Sequence, residues 1–284
     1  MSFGYKVLGF GAGAGAASKF VVATGGCEST DGDYKIHSFN STGCFTVSSA
    51  GNPSCCGGDG SYVDYLVVAA GGDGNDGAGA GGGYLSTNRT YPASSGSAGC
   101  GATDGIQVSV ANYPIVVGAA AGRPSPYGGG LSSFSTITAA GGGHRQGSGT
   151  GNDPATTPSQ GAPGGPPLST GIHGTYGSAG GGGMGGSGQG SPGHSTGGNG
   201  GNGGVADITG ASVTYSAGGG GNNQNSCASG NAGGPCAATS GAGGTGAPAR
   251  NGVANRGGGA GGSPSTPGPS SGGTGVVMIR YKYQ

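Results

Sequence analysis

Residues 171–186 read GIHGTYGSAGGGGMGG, with glycine at 171, 174, 177, 180, 183 and 186. A period of three matches neither the α-helix at 3.6 residues nor the β-strand at 2.0. It matches an extended helix of the polyproline-II type, which has three residues per turn and no internal hydrogen bonds. Its N–H and C=O groups point sideways, and once buried they must find partners on neighbouring chains. Neighbouring backbones approach closely enough only where no Cβ stands between them. One glycine per turn clears one face of such a helix, and two or three clear the whole circumference.

The rest of the chain makes this demand acute. Glycine supplies 79 of the 284 residues and proline 16, tryptophan is absent, and 7% of residues are charged. Each ordered glycine costs about 0.5–1 kcal/mol relative to alanine. With few large side chains to bury, hydrogen bonding between close-packed backbones is the compensation that remains. The expected fold is therefore mainly β plus a polyglycine-II helix bundle: a small antiparallel β region with a glycine-rich sandwich and almost no α-helix.

The period of three recurs at Gly197, Gly200 and Gly203, in parallel at Gly198, Gly201 and Gly204, and earlier at Gly71, Gly74 and Gly77. With Gly171, Gly174, Gly177, Gly180, Gly183 and Gly186, the first of these sets marks the expected scaffold positions. Proline does not fill the other two positions of each triplet, and the register shifts every 10–20 residues, so the pattern is not a collagen rod. Breaks rich in proline, asparagine and serine fall at 152–169, 222–240 and 263–273, as turns between helices require.

Strand-like runs occupy the remainder. KFVVAT, YKIHSF and CFTVSSAG lie within residues 18–56, and the alternation in the second suggests a hairpin. SYVDYLVVAAGG (61–72) has the apolar centre of an interior strand. GIQVSVANYPIVVGA (105–119), LSSFSTITAAGGG (131–143) and TGVVMIRYKYQ (274–284) follow. In the last, Val277, Ile279, Tyr281 and Tyr283 share one face, and Met278, Arg280 and Lys282 the other. The expected organisation is an attachment arm at 1–17, a β-rich region at 18–140, a polyglycine-II-like region at 141–273, and a C-terminal strand at 274–284 that pairs back to the β region.

Several functions are disfavoured. Net charge is zero, with no basic patch for nucleic acid. No apolar run approaches the length of a membrane span, and the first residues lack a secretory signal pattern. KVLGFGAGA imitates a dinucleotide-binding turn, but the ASKFVVATGG that follows is too short and too β-branched for the helix such a turn must open. The four histidines, His37, His144, His173 and His194, form no spaced set with an acid, and no nucleophile elbow is present. No cofactor, no metal and no enzymatic activity are expected. The seven cysteines include no CxxC pair. Cys27 with Cys44, and Cys227 with Cys236, would close local loops if oxidised; free thiols are the alternative.

The ordered succession FTVSSAG, VDYLVVAAGGDG, YPIVVGAAAG, SSFSTITAAGGG, a glycine tract and GGTGVVMIRYKY resembles the glycine-rich repeat proteins found among virion and tail-fibre genes of tailed bacteriophages, those of cyanophage-like viruses included. The likeness covers most of residues 20–284. It is also similar to the tip adhesins of long tail fibres. That resemblance implies stacked polyglycine-II helices whose distal loops touch the host surface, a homo-oligomer (a trimer), and assembly with other virion proteins in the host cytoplasm. The implied partner is a host surface polysaccharide or outer-membrane protein. Exposed polar groups on loops held by a rigid scaffold suit that task. The long breaks supply the candidates: His144, Arg145, Asn152, Asp153 and Gln160 in one, and Asn222, Asn223, Gln224 and Asn225 in another, where amides offer donors and acceptors to sugar hydroxyls. A purely architectural virion component without receptor binding is the alternative expectation.

Overall fold

The computed structural model describes residues 18–52, 60–74, 78, 80–87, 105–121, 128–143, 152–153, 159–166, 179–191, 197–221, 251–262 and 270–284. Among these there is no helix. The strands, in chain order, are β1 (Val21–Thr24), β2 (Cys27–Asp31), β3 (Tyr34–Phe39), β4 (Gly43–Ala50), β5 (Tyr62–Val68), β6 (Tyr84–Ser86), β7 (Ile106–Gln107) and β8 (Ala111–Val116). They continue with β9 (Ser132–Phe134), β10 (Ile137–Ala139), β11 (Gly141–Gly142), β12 (Asn152–Asp153), β13 (Gly204–Ala206), β14 (Val213–Tyr215) and β15 (Val276–Lys282).

Two antiparallel sheets form a sandwich. The first has the order β1-β4-β8-β9-β10, and the second β2-β3-β15-β5-β6, with β7 also paired to β5. The C-terminal β15 lies between β3 and β5, with Ile279 opposite both His37 and Tyr65. Alternation decides what faces inward. Phe45, Val47, Ile115 and Phe134 of the first sheet meet Phe39, Tyr65, Val67, Val277, Ile279 and Tyr281 of the second in one buried cluster. The opposite face of the second sheet is buried as well. Leu66, Val68, Tyr84 and Val276 pack there against Met184, Ala206, Ile208 and Tyr215. The last three belong to the β13–β14 hairpin and its turn. The glycine-rich region thus contributes a small sheet of its own, which the sequence reading had not separated from the tract.

Beyond the strands, the chain continues as glycine-rich threads, and their hydrogen bonds return to the same neighbour every third residue. Ala69 and Gly72 donate to Gly83 and Ala80 (both 2.9 Å), Gly71 and Gly74 donate to Gly273 and Ser270 (3.0 and 3.3 Å), and Ala70, between them, donates to Gly130 (3.0 Å). Likewise Gly180 and Gly183 donate to Gln189 and Gly186, and Gly181 and Met184 to Gly219 and Ser216, while Gly185 donates to Asn202. A pleated strand would send alternate amides to the same side. Three successive amides radiating to three neighbours is the bonding of packed threefold helices. Neighbours run both ways: 181 and 184 pair antiparallel with 219 and 216, whereas 259 and 262 pair parallel with 217 and 220.

The close approach explains the glycines. A Cβ on Gly71 would lie 2.0 Å from the carbonyl oxygen of Gly258, one on Gly180 2.0 Å from that of Asn199, and one on Gly200 2.2 Å from that of Gly218. No side chain can yield there, because the obstruction is backbone. The bundle also draws on threads at 69–74, 80–83, 117–121 and 128–131, so it begins well before residue 141.

Where threads converge on the sandwich, polar side chains complete the network. The Ser132 hydroxyl donates to Val68 O (2.8 Å) and accepts from Gly118 N–H (2.9 Å). The Ser216 hydroxyl donates to Gly82 O. Ser270 Oγ lies 2.9 Å from Gly74 O and 2.7 Å from Gly261 O.

Candidate functional site

The strand directions give the molecule two unlike ends. Threads leave the sandwich from the C-terminal ends of β5, β8 and β10 and re-enter at the N-terminal ends of β6, β9 and β15. In antiparallel sheets these are the same end. The threads that include Gly74, Ala119, Gly142, Gly165, Gln189, Gly221 and Gly262 all run away from the sandwich.

The opposite end brings Phe20 and Asp33 beside the end of β15: Lys282 Nζ sits 5.9 Å from the centre of the Phe20 ring, and Tyr283 N–H donates to Asp33 O (3.0 Å). Charge collects there too. Lys35 pairs with Glu28 at 3.2 Å, Arg280 with Asp31 at 3.0 Å, and Lys282 with Asp33 at 3.8 Å. Arg280 also lies 4.2 Å from the Tyr34 ring centre and donates to Ile208 O, which ties the β13–β14 turn to the sheet. Gly210 in that turn has φ +83°, and a Cβ there would meet the Asp31 carboxylate carbon at 2.7 Å. The described threads carry only Asp73 and Arg256 as charged residues.

The expected contact residues fare differently. His144, Arg145, Asn222, Asn223, Gln224 and Asn225 lie outside the described residues, as do Gly171, Gly174 and Gly177. Asn152 and Asp153 form β12, paired with Gly142 and Gly141. Gln160 is corrected outright: its side chain is 9% exposed and turned inward. Its Oε1 accepts from Ala140 N–H (2.8 Å) and its Nε2 donates to Thr138 O (3.0 Å). An amide that can donate and accept is as well suited to the free edge of β10 as to a sugar, and the edge has it. Among the scaffold glycines, Gly180, Gly183, Gly200 and Gly203 face backbone or side-chain atoms closer than 3 Å from a would-be Cβ, and Gly197 is buried. Gly186 does not share their role, since the nearest such atom is 3.8 Å away.

His37 is the one histidine among the described residues, and it is wholly buried. Its Nδ1 lies 2.6 Å from Gly25 O and its Nε2 2.9 Å from the Tyr281 hydroxyl. A carbonyl only accepts, so Nδ1 carries the proton and the tyrosine donates to Nε2. Burial holds the His37 pKa below its ordinary value, against the raising effects of the Gly25 bond and Glu28. Burial pushes the Tyr281 hydroxyl well up, and Tyr215 up to about 12. Both ring nitrogens serve the core. Cys27 and Cys44 are exposed free thiols. No helix among the described residues is long and apolar enough to cross a membrane.

The internal roles of Ser132, Ser216, Ser270 and Gln160 escaped the sequence reading. Isolated polar residues flanking glycine runs look like turn formers, and only the thread packing reveals them as stitches. The β13–β14 hairpin had a signal, for VADI and VTY are the one concentration of β-branched residues inside the tract.

A family model described as a glycine-rich domain matches residues 53–282. Comparison with curated proteins gave no match, and neither did comparison with solved structures.

Proposed function

We propose that this chain, which belongs to the glycine-rich domain family, is a structural protein of a bacteriophage virion: a tail-fibre or tail-tip adhesin that binds the host surface. It performs no catalysis. Its ligand is a host surface polysaccharide or outer-membrane protein, and it is assembled with other virion proteins in the host cytoplasm. The observation that supports this most is the polarity of the molecule. Phe20, Asp33, Lys282 and Tyr283 meet at one charged end, and seven threads run from the sandwich toward the other. A bundle closed by backbone hydrogen bonds is a stiff scaffold, and recognition commonly sits on loops held by one.

Adsorption of purified protein to host cells tests the reading. Replacing residues 222–240 by a Gly-Ser segment of equal length abolishes adsorption while leaving the bundle intact. Adsorption that survives this replacement and the same replacement of 144–150 refutes the loop assignment.

A second reading is favoured by Gln160, whose amide is spent on Ala140 and Thr138. Polar residues of the breaks then serve the scaffold, and the chain is an architectural fibre segment or capsid decoration. Imaging of the particle separates the two: a lateral position in a shaft or on the capsid, with no adsorption, belongs to the second.

A further inference from the structure

The free edges of the two sheets are treated unequally. At β10 the Gln160 amide takes Thr138 O. The edge strand β2 has no such cover. Cys27, Glu28, Ser29 and Thr30 are exposed, and Asp31 is half-buried. Asp31 and Tyr34 close the two-residue turn at Gly32 and Asp33, and the register continues Ser29 opposite Ile36 and Cys27 opposite Ser38. Bonded and non-bonded pairs alternate in an antiparallel ladder. The residues between, Glu28 and Thr30, therefore point N–H and C=O away from β3, and neither group has a partner among the described residues.

We propose that β2 pairs with β2 of a second copy, antiparallel about a two-fold axis at Ser29, so that the two six-stranded sheets become one. Strand addition at an open edge draws its affinity from main-chain bonds. In this register Glu28 stands opposite Thr30 of the second copy, and Thr30 opposite its Glu28. Ser29 meets Ser29, and Asp31 meets Cys27. All four outward groups of each strand are satisfied, and no carboxylate faces a carboxylate. Sliding the second strand by two residues one way sets Glu28 against Glu28, which like-charge repulsion disfavours. Sliding it the other way carries Glu28 into the Gly32 turn. A basic peptide is a poorer occupant, because Lys35, Arg280 and Lys282 already neutralise Glu28, Asp31 and Asp33. What remains is an edge without net charge that matches itself.

Sedimentation velocity of the full chain over a concentration series tests the pairing, with a concentration-dependent dimer expected. Ser29→Lys opposes two ammonium groups at the axis and should raise the dimer dissociation constant at least about fivefold. Thr30→Pro removes an N–H that β3 does not use and should weaken the dimer further. In a Cys27→Ser background, Ser29→Cys should form an intermolecular disulfide under mild oxidation. The two Ser29 residues face each other as a non-bonded pair about 4.5 Å apart at Cα, within disulfide reach. Glu28→Cys, which faces Thr30, should not cross-link. Should Thr30→Pro fail to fold, Ser29→Lys and the cross-link decide, since Ser29 is exposed in the monomer. A chain that stays monomeric at every concentration, a trimer, a dimer unmoved by Ser29→Lys, or absence of the Ser29→Cys cross-link overturns the proposal. Host adsorption is a separate readout, so failure here leaves the adhesin reading standing.

Discussion

The sandwich and the glycine bundle are two solutions to one problem in a single chain. In the sandwich, side chains fill the space between sheets, and Phe45 touches rings on every side. Its ring centre is 5.1 Å from that of His37, 6.1 Å from that of Phe134 and 6.2 Å from that of Tyr281. In the bundle there is no such space, because backbones touch. The first is held by apolar burial and tolerates polar substitution only at its surface. The second is held by directional bonds, and it tolerates substitution only where a thread faces outward. Bulk is the content of one core and the enemy of the other.

The largest effect should come from emptying the first. Phe45→Ala leaves a void among His37, Tyr113, Phe134 and Tyr281, and should cost about 3–5 kcal/mol in chemical denaturation. If the bundle holds the sandwich together rather than the reverse, the loss will be far smaller, and the ranking of the two regions fails.

Next comes overfilling the second. Gly200→Ala places a methyl 2.2 Å from Gly218 O, 2.7 Å from its carbonyl carbon and 2.8 Å from Gly219 O. The threads at 198–201 and 217–221 must separate, which strains the bonds from Gly218 to Gly201 and from Gly221 to Gly198. We expect a loss of about 1–3 kcal/mol, as for other overpacked interiors. One methyl added here then approaches the effect of a whole ring removed there. Hydrogen exchange sharpens the point. In the parent protein the amides of Gly71, Gly181 and Gly201 should exchange as slowly as those of Val67 and Ile279, and in Gly200→Ala those of Gly201 and Gly218 should speed up first.

The regions differ in legibility for the same physical reason. A strand announces itself by alternation, and Val277, Ile279 and Tyr281 on one face of β15 against Met278 and Arg280 on the other was readable from five residues. The three-residue period was equally readable at Gly180, Gly183, Gly200 and Gly203, because a steric rule operates through single positions. Which thread lies beside which was not. Backbone bonds carry no residue identity, so nothing in Ala70 names Gly130 as its acceptor. Gln160 was misread on the same account. Its amide answers an edge formed by Thr138 and Ala140, whose spatial position only the folded sheet defines.

Acid separates the regions by chemistry instead of sterics. His37 is neutral and buried in the sandwich, with Glu28, Lys35 and Tyr281 as its ionisable neighbours. Burial lowers its folded pKa, so the unfolded chain binds the proton first as pH falls below about 6.5. Stability is then lost progressively until the folded pKa is passed, with a slope of at most about 1.4 kcal/mol per pH unit. His37→Gln, which keeps a donor for Gly25 O and an acceptor for Tyr281, should flatten that limb of the stability profile measured from pH 7 to pH 4. An unchanged slope would assign acid sensitivity to carboxylates elsewhere.

The smallest effect is the most exacting, because it separates the steric rule from the sequence pattern. Gly186 closes the same every-third-residue run as Gly180 and Gly183, yet the nearest atom to its would-be Cβ is Asn202 N at 3.8 Å, and its φ is not positive. The run alone would treat the three alike. Contact geometry makes Gly186→Ala neutral, or stabilising by up to about 0.5–1 kcal/mol through a less flexible unfolded chain. Gly183→Ala, by contrast, meets Asn202 O at 2.2 Å and should destabilise. Equal losses at 183 and 186 in parallel thermal melts would mean that periodicity itself, and not proximity of a neighbouring backbone, is what the glycines serve.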